Sequence, residues 1–184
     1  MLSEKLKEQT SNNHQVLEKK LLAQMRNMQS KQDYAALLKS FYSYFGGLEV
    51  AINKQLDLSA LPDYSKRRKT AVLANDIIYL AAPLPALADE TSLPAIINHA
   101  QAMGALYVIE GSTLGGKIIS KMVSRQLNLT SIAGLSFFNG YGDDTDKMWG
   151  SFKIALNNTP NVVADEVILA ANETFIKFGD WLAR

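Results

Sequence analysis

Apolar residues recur every three to four positions along most of the chain, and no stretch alternates strictly between apolar and polar residues. The first period is typical of helices with one buried face, whereas the second marks half-buried strands. A first helix is predicted to begin at Ser3, which can cap it, and to run to about Leu21. Its apolar face is formed by Leu6, Thr10, Leu17 and Leu21, with Asn13 and His14 on the same side.

The remaining helices are delimited by capping residues and by prolines, which fit the first turn of a helix and stop it elsewhere. Ser30 with Asp33 forms a variant of the capping box, and Ser92 with Pro94 opens the longest pattern. The predicted ranges are 30–58, 66–82, 93–126, 145–156 and 159–182. Gly46 and Gly47 predict an interruption of the second helix. The sequence shows no repeat or linker, so we expect one all-α domain over residues 1–184.

The composition excludes several classes of function. Nineteen basic residues oppose eighteen acidic ones, so no field of one sign favours nucleic acid or an anionic membrane. The chain has no cysteine, which excludes disulfides, thiolate zinc sites and cysteine nucleophiles. The N-terminus lacks the apolar stretch of a signal peptide, and no apolar run approaches a membrane span. We therefore expect a cytoplasmic protein that binds neither nucleic acid nor a membrane.

Three glycines interrupt an otherwise apolar helical pattern at positions 111, 115 and 116. They cost about 3 kcal/mol of helix propensity relative to alanine, so their presence needs a reason. Gly111 and Gly115 share a helix face, which is compatible with close packing against another helix. Alternatively, the backbone lies against something broad and flat, such as a planar macrocycle, where a β-carbon would clash. Glycine and serine together also favour a bend in this helix.

The chain contains two histidines, which limits the metal chemistry available to it. Glu18 follows His14 by one helical turn, where its carboxylate could orient the imidazole and favour the neutral, metal-binding form. His99 has no comparable partner and is interpreted as structural. A di-iron site in a helical bundle usually uses Glu-x-x-His pairs, which this sequence lacks. Its candidate carboxylates would be Glu49, Asp76 and Glu110.

Six segments, taken in order, resemble the haem oxygenases, and most closely those associated with bacterial phytochromes. The segment Gly104-Ala-Leu-Tyr-Val-Ile-Glu-Gly-Ser-Thr-Leu-Gly-Gly116 is similar to the glycine-rich distal helix of that family. The other five are Thr10-x-x-x-His14-x-x-Leu17-Glu18, Phe41 to Glu49, Arg68 with Leu73 and Asp76, Phe137 to Gly142 with Trp149 and Phe152, and Ala171 to Phe175.

This resemblance implies that haem is both cofactor and substrate, held between the His14 helix and a bend at Gly111–Gly116. The expected products are biliverdin, carbon monoxide and ferrous iron, formed with dioxygen and electrons from a ferredoxin, a flavodoxin or a reductase. A bacterial phytochrome is a possible user of the product. Two other functions stay open: a protein that stores or senses haem without degrading it, and a di-iron oxidase.

The resemblance also assigns roles to individual residues. His14 is the expected iron ligand, supported by Glu18, and Lys7 and Lys147 are expected to bind the haem propionates, with Lys153 as a further candidate. The expected catalytic face consists of Gly111, Ser112, Gly115 and Gly116. Ser112 stands where haem oxygenases of the animal type have an aspartate. We therefore expect the distal waters to be held jointly by backbone and side chains, since a serine hydroxyl carries no charge.

Overall fold

The computed structural model describes all 184 residues, and its secondary structure is entirely helical. Short 3-10 turns at Tyr64–Lys66, Gly142–Asp144 and Asn161–Val163 connect some of the helices. The eight α-helices are α1 (Leu2–Gln9), α2 (Ser11–Asn27), α3 (Lys31–Gln55), α4 (Ala71–Tyr79), α5 (His99–Leu127), α6 (Ser136–Asn139), α7 (Thr145–Asn157) and α8 (Ala164–Trp181). The prediction of an all-α fold is confirmed. None of the helices combines the length and apolar content needed to cross a membrane.

The core is built around α5, which packs most extensively against α8 and also against α3, α6 and α7. Gly104 allows the close approach of α5 and α8, because a β-carbon there would collide with the carbonyl oxygen of Val167. Between α3 and α8, the rings of Tyr44 and Phe178 stack with their centroids 4.8 Å apart. These buried aromatic contacts fix the framework on which the outer helices α1, α2 and α7 are placed.

The predicted first helix is divided into two helices at Thr10. The Thr10 side chain is buried and its hydroxyl donates a hydrogen bond of 2.6 Å to the carbonyl oxygen of Leu6. Threonines that bond back to the preceding turn often bend helices. Ser3 lies inside α1 and does not cap it, since α1 begins directly after Met1. His14 therefore belongs to the first turn of α2.

Several other boundaries differ from the prediction, for reasons that involve distant parts of the chain. The helix α3 continues through Gly46 and Gly47 without interruption. Glycine is needed at position 47 because the residue lies against the carbonyl of Ala88, where a side chain would clash. The capping box of Ser30 and Asp33 in α3 is confirmed. The helix α5 begins at His99, capped by the Asn98 side chain, and not near 93. The helices α4 and α8 begin about five residues later than predicted.

Candidate functional site

The helices α2 and α5 contact each other near both of their ends, and these contacts fix how the two helices face each other. At one end, the Tyr107 side chain of α5 lies close to the Thr10 side chain at the start of α2. At the other end, the Gln126 side chain donates to the carbonyl oxygens of Met25, at 3.1 Å, and of Met28. Residues 107 to 126 of a helix span about 28 Å. We call the space between these contacts the α2–α5 cleft.

His14 follows the first of these contacts by four residues on α2, as Gly111 does on α5, so an even register between the two helices would set His14 opposite the segment from Gly111 to Gly115. The imidazole is exposed, and its edge packs against the Phe175 ring of α8 at a centroid distance of 5.6 Å. The peptide nitrogen of His14 donates to the carbonyl oxygen of Thr10 at 2.9 Å, so the backbone under the ring is held in place. The imidazole is therefore supported on one side by Phe175 and is otherwise accessible.

Two of the three glycines open onto free space, and the third does not. A β-carbon at Gly115 would meet no atom within 4 Å, and one at Gly111 would meet only the Trp149 ring at 3.9 Å. At Gly116 a β-carbon would collide with the carbonyl of Phe138 in α6. The interpretation of Gly116 as clearance for a flat ligand is therefore wrong. Contact between α5 and α6 accounts for Gly116, whereas nothing in the protein itself accounts for Gly115.

The face of α5 that contains Gly115 also presents exposed apolar side chains. Leu114 is 45% exposed and Ile118 is 72% exposed. Exposed aliphatic side chains beside an unfilled cleft are typical of a binding surface for an apolar ligand. The helix α5 is continuous from His99 to Leu127. The glycines at which a bend was predicted therefore do not interrupt the helix.

The structure does not support the expected role of Glu18. None of the ion pairs in the protein includes Glu18, and its side chain is exposed like that of His14. The two side chains project into solvent one turn apart, and the imidazole is oriented by Phe175 instead. His99, by contrast, is structural as expected, because its Nδ1 accepts a hydrogen bond of 3.1 Å from the peptide nitrogen of Asp57.

The lysines predicted to bind propionates lie on two neighbouring helices. Lys7 is exposed in the last turn of α1, and Lys147 is exposed on α7, where Lys153 is half-buried. The helices α1 and α7 pack against each other. Their role in binding an anion stays a prediction.

The hydroxyl of Ser112 is already bound by other groups of the protein. Its hydroxyl donates to the carbonyl oxygen of Ile109 at 2.7 Å and accepts a hydrogen bond from the guanidinium of Arg68 at 2.6 Å. The same guanidinium donates to the carbonyl oxygens of Phe137 and Ile109 at 2.8 and 2.9 Å. Sequence reasoning noted Arg68 only as part of a motif and gave it no role. Arg68 lies in the basic run from Lys66 to Lys69, and such a run by itself is typical of a solvated surface.

A buried ion pair lies next to Arg68, below α5. Arg67 donates to Glu110 at 2.7 Å and to both carboxylate oxygens of Asp63 at 3.0 and 2.9 Å. The Tyr141 hydroxyl donates to Glu110 at 2.9 Å and accepts from the peptide nitrogen of Arg68. Burial and the charge of Glu110 raise the pKa of Tyr141. This network joins the segment before α4 to α5 and to the loop after α6.

The carboxylates considered for a di-iron site are each engaged elsewhere. Glu49 accepts from the peptide nitrogen and hydroxyl of Thr70 at 2.8 and 2.6 Å. Asp76 accepts from the peptide nitrogens of residues 134, 136 and 137. Glu110 is bound by Arg67 and Tyr141. The structure contains no group of three or more histidine and carboxylate side chains suited to hold a metal.

Comparison with known proteins identifies the family. The sequence model described as "Heme oxygenase" matches residues 1–184. The chain belongs to the haem oxygenase family. It is 29% identical to a heme oxygenase of Xanthomonas campestris pv. campestris over 153 residues, which cover 82% of this chain and 88% of that one. It is 26% identical to the heme oxygenase PigA of Pseudomonas aeruginosa over 184 residues, which cover 99% and 91% of the two chains.

A solved structure shows that this haem oxygenase also has the family fold. The heme oxygenase of Leptospira interrogans superposes with a TM-score of 0.80, covering 99% of this chain and 98% of that one, at 18% identity. Family membership implies that haem is the ligand. The α2–α5 cleft fits haem chemically, because it pairs an exposed imidazole with an open glycine face and exposed aliphatic side chains.

Proposed function

We propose that this haem oxygenase cleaves haem to biliverdin, carbon monoxide and ferrous iron in the α2–α5 cleft, using dioxygen and electrons from a redox partner. The observation that supports the proposal is the pair of contacts that join α2 and α5 near their ends, since an even register between them would set the exposed His14 opposite the unobstructed faces of Gly111 and Gly115. One neutral histidine ligand leaves the other face of a haem iron free to bind dioxygen.

When bound, haem supplies both the redox-active iron and the macrocycle that is oxidised. His14 would hold the iron from α2, and its ring packs against the edge of Phe175, which limits its rotation. Gly111 and Gly115 would let the macrocycle approach the backbone of α5, and Leu114 and Ile118 would exclude water from its apolar surface. Ser112 would hold distal water without itself being a strong acid, because its only hydroxyl proton is given to Ile109.

The proposal also covers the surroundings of the reaction. Lys7, Lys147 and Lys153 would bind the propionates at the side formed by α1 and α7. A ferredoxin, a flavodoxin or a reductase would supply the electrons in the cytoplasm, and a bacterial phytochrome stays a possible user of the biliverdin. The di-iron alternative is not favoured, because its three carboxylates are bound by Thr70, by backbone amides and by Arg67.

The test is to add haemin to the purified protein and then ascorbate or a ferredoxin system in air. We expect a Soret band on binding, followed by its decay and the growth of the broad red absorption of biliverdin. The matched control omits the reductant and should keep the Soret band. Bound haem that survives reduction in air would indicate storage or sensing. A protein that binds iron and not haem would contradict the proposal altogether.

A further inference from the structure

We propose that Arg68 is a positioning residue for the distal face of the α2–α5 cleft. Its guanidinium fixes Ser112 as a hydrogen-bond acceptor and places a positive charge directly behind α5. This inference rests on the proposed function, since it assumes that the cleft binds haem. It differs from the roles assigned above, because Arg68 is bound to Phe137, Ile109 and Ser112 and acts through Ser112.

The first step is the hydrogen-bond inventory of Ser112. A serine hydroxyl has one proton to donate and two lone pairs that accept. The proton goes to the carbonyl oxygen of Ile109, and one lone pair accepts from Arg68. Only one lone pair is left for the cleft side. A water molecule bound to Ser112 must therefore donate to it, which leaves the second proton of that water for a ligand atom.

The second step is the way in which Arg68 itself is held. Its two terminal nitrogens are bound to Phe137, Ile109 and Ser112, and its guanidinium lies 3.8 Å above the Phe137 ring. Its Nε is buried without a partner, beside a small cavity with room for about one water molecule. Lysine could not make these three contacts, because its ammonium lacks the planar, divergent donors of arginine.

The third step concerns charge. Arg68 forms no ion pair, because the nearby Glu110 is already bound by Arg67 and Tyr141. The titratable groups around Arg68 are Glu110, Arg67 and Tyr141, together with Lys69 on its own segment. Burial lowers the pKa of Arg68 to about 10, so the guanidinium stays charged at neutral pH. An animal-type aspartate would put a negative charge on the distal side, whereas Arg68 puts a positive charge there.

The experiment measures ligand binding to the ferric haem complex at pH 7, with azide as an anionic probe and imidazole as a neutral one. For Arg68→Gln we expect azide affinity to fall about threefold to tenfold, because a buried charge near the ligand is removed. Imidazole affinity should stay within about twofold of the native value, since the form of imidazole that binds iron carries no charge. Arg125→Gln is the matched control. Arg125 is exposed and lies about 20 Å along α5 from Ser112, so its charge is screened.

Arg68→Lys separates the two parts of the proposal. This variant keeps the positive charge, so azide affinity should stay near the native value. It loses the hydrogen bond that positions Ser112, so single-turnover decay of the oxygenated complex should slow. Native azide affinity in Arg68→Gln would overturn the proposal, and so would an equal loss for azide and imidazole. If Arg68→Gln does not fold, native single-turnover decay in Arg68→Lys overturns it instead. The proposed function is tested separately. If the native protein degrades haem but the variants do not behave as expected, only the inference about Arg68 is wrong.

Discussion

His14, the proposed iron ligand, combines an exposed imidazole with a helical backbone. The ring packs against Phe175 at a centroid distance of 5.6 Å, and in the proposed site it faces the open side of α5. His14→Ala should therefore keep the native helicity, because the side chain contributes little buried area. It should lose turnover and the histidine-type spectrum of the ferrous carbon monoxide complex.

Added imidazole should restore part of that spectrum, because it can occupy the space left by the side chain. The measurement is absorption spectroscopy of the ferrous complex, with circular dichroism as the control for folding. His99→Ala provides a matched comparison, since His99 is bound to Asp57 and lies away from the cleft. A native ferrous spectrum in His14→Ala would show that another group binds the iron.

At this scale the sequence predicts some positions and not others. His14 could be selected because the chain has only two histidines and a local motif surrounds it. The orientation of Ser112 could not be predicted, because it depends on Arg68, which is 44 residues away in the sequence. Glu18 was assigned from its local spacing alone, and spacing does not show whether two exposed side chains meet.

The helix α5 contains adjacent glycines with different environments, which provides a direct test of why they are there. Gly116→Ala should lower the free energy of unfolding, by about 1–3 kcal/mol, because its β-carbon would press on the carbonyl of Phe138. Gly115→Ala should leave stability unchanged or slightly higher, since alanine is the better helix former and the space is open. Urea denaturation of the haem-free protein measures both.

A larger residue at Gly115 tests the binding face of the same helix. Gly115→Leu should reduce haem affinity or turnover, because a leucine would fill the space opposite His14, while helicity stays near native. Titration with haemin measures the affinity. If Gly115→Leu binds and degrades haem normally, the open face of α5 is not the haem site.

At the scale of whole helices, periodicity predicted which segments are helical, and long-range contacts decided where they begin and end. Gly46 and Gly47 lie inside α3 because the segment around Ala88 crosses it closely, a contact that no local pattern reveals. The local capping pattern of Ser30 and Asp33 was sufficient, since both partners lie within one turn. The later start of α4 follows from Arg67 and Arg68, whose side chains reach below α5 from an extended segment.

Across the whole molecule, α2 differs from the other long helices in how it is held. Only Met25 is fully buried among its 17 residues. Its hydrogen bonds to α8, from Asn13 to Asn172 at 2.6 Å and from Lys20 to the carbonyl of Gly179 at 3.2 Å, are only partly buried. Leu17 and Leu21 pack against the core but are themselves partly exposed. Partly exposed hydrogen bonds with little apolar burial mark a segment that opens more readily than the core.

Native-state hydrogen exchange should therefore show faster exchange for the amides of α2 than for those of α3 and α5 in the haem-free protein. Added haem should slow exchange in α2 most, because a ligand that binds only the closed form stabilises it. Uniform protection across all helices would show that α2 is not a separate opening unit. The comparison with His14→Ala controls for the bond between the ligand and this helix.

The weak attachment of α2 has a consequence for the catalytic cycle. In the proposed reaction the product loses its link to α2. Iron leaves the opened ring, so the macrocycle is no longer connected to His14. The helix then returns to its polar contacts with α8, which are the contacts that open first. One wall of the cleft is thus held shut by the substrate and freed by its conversion, so that release of a bulky product needs no motion of the buried core.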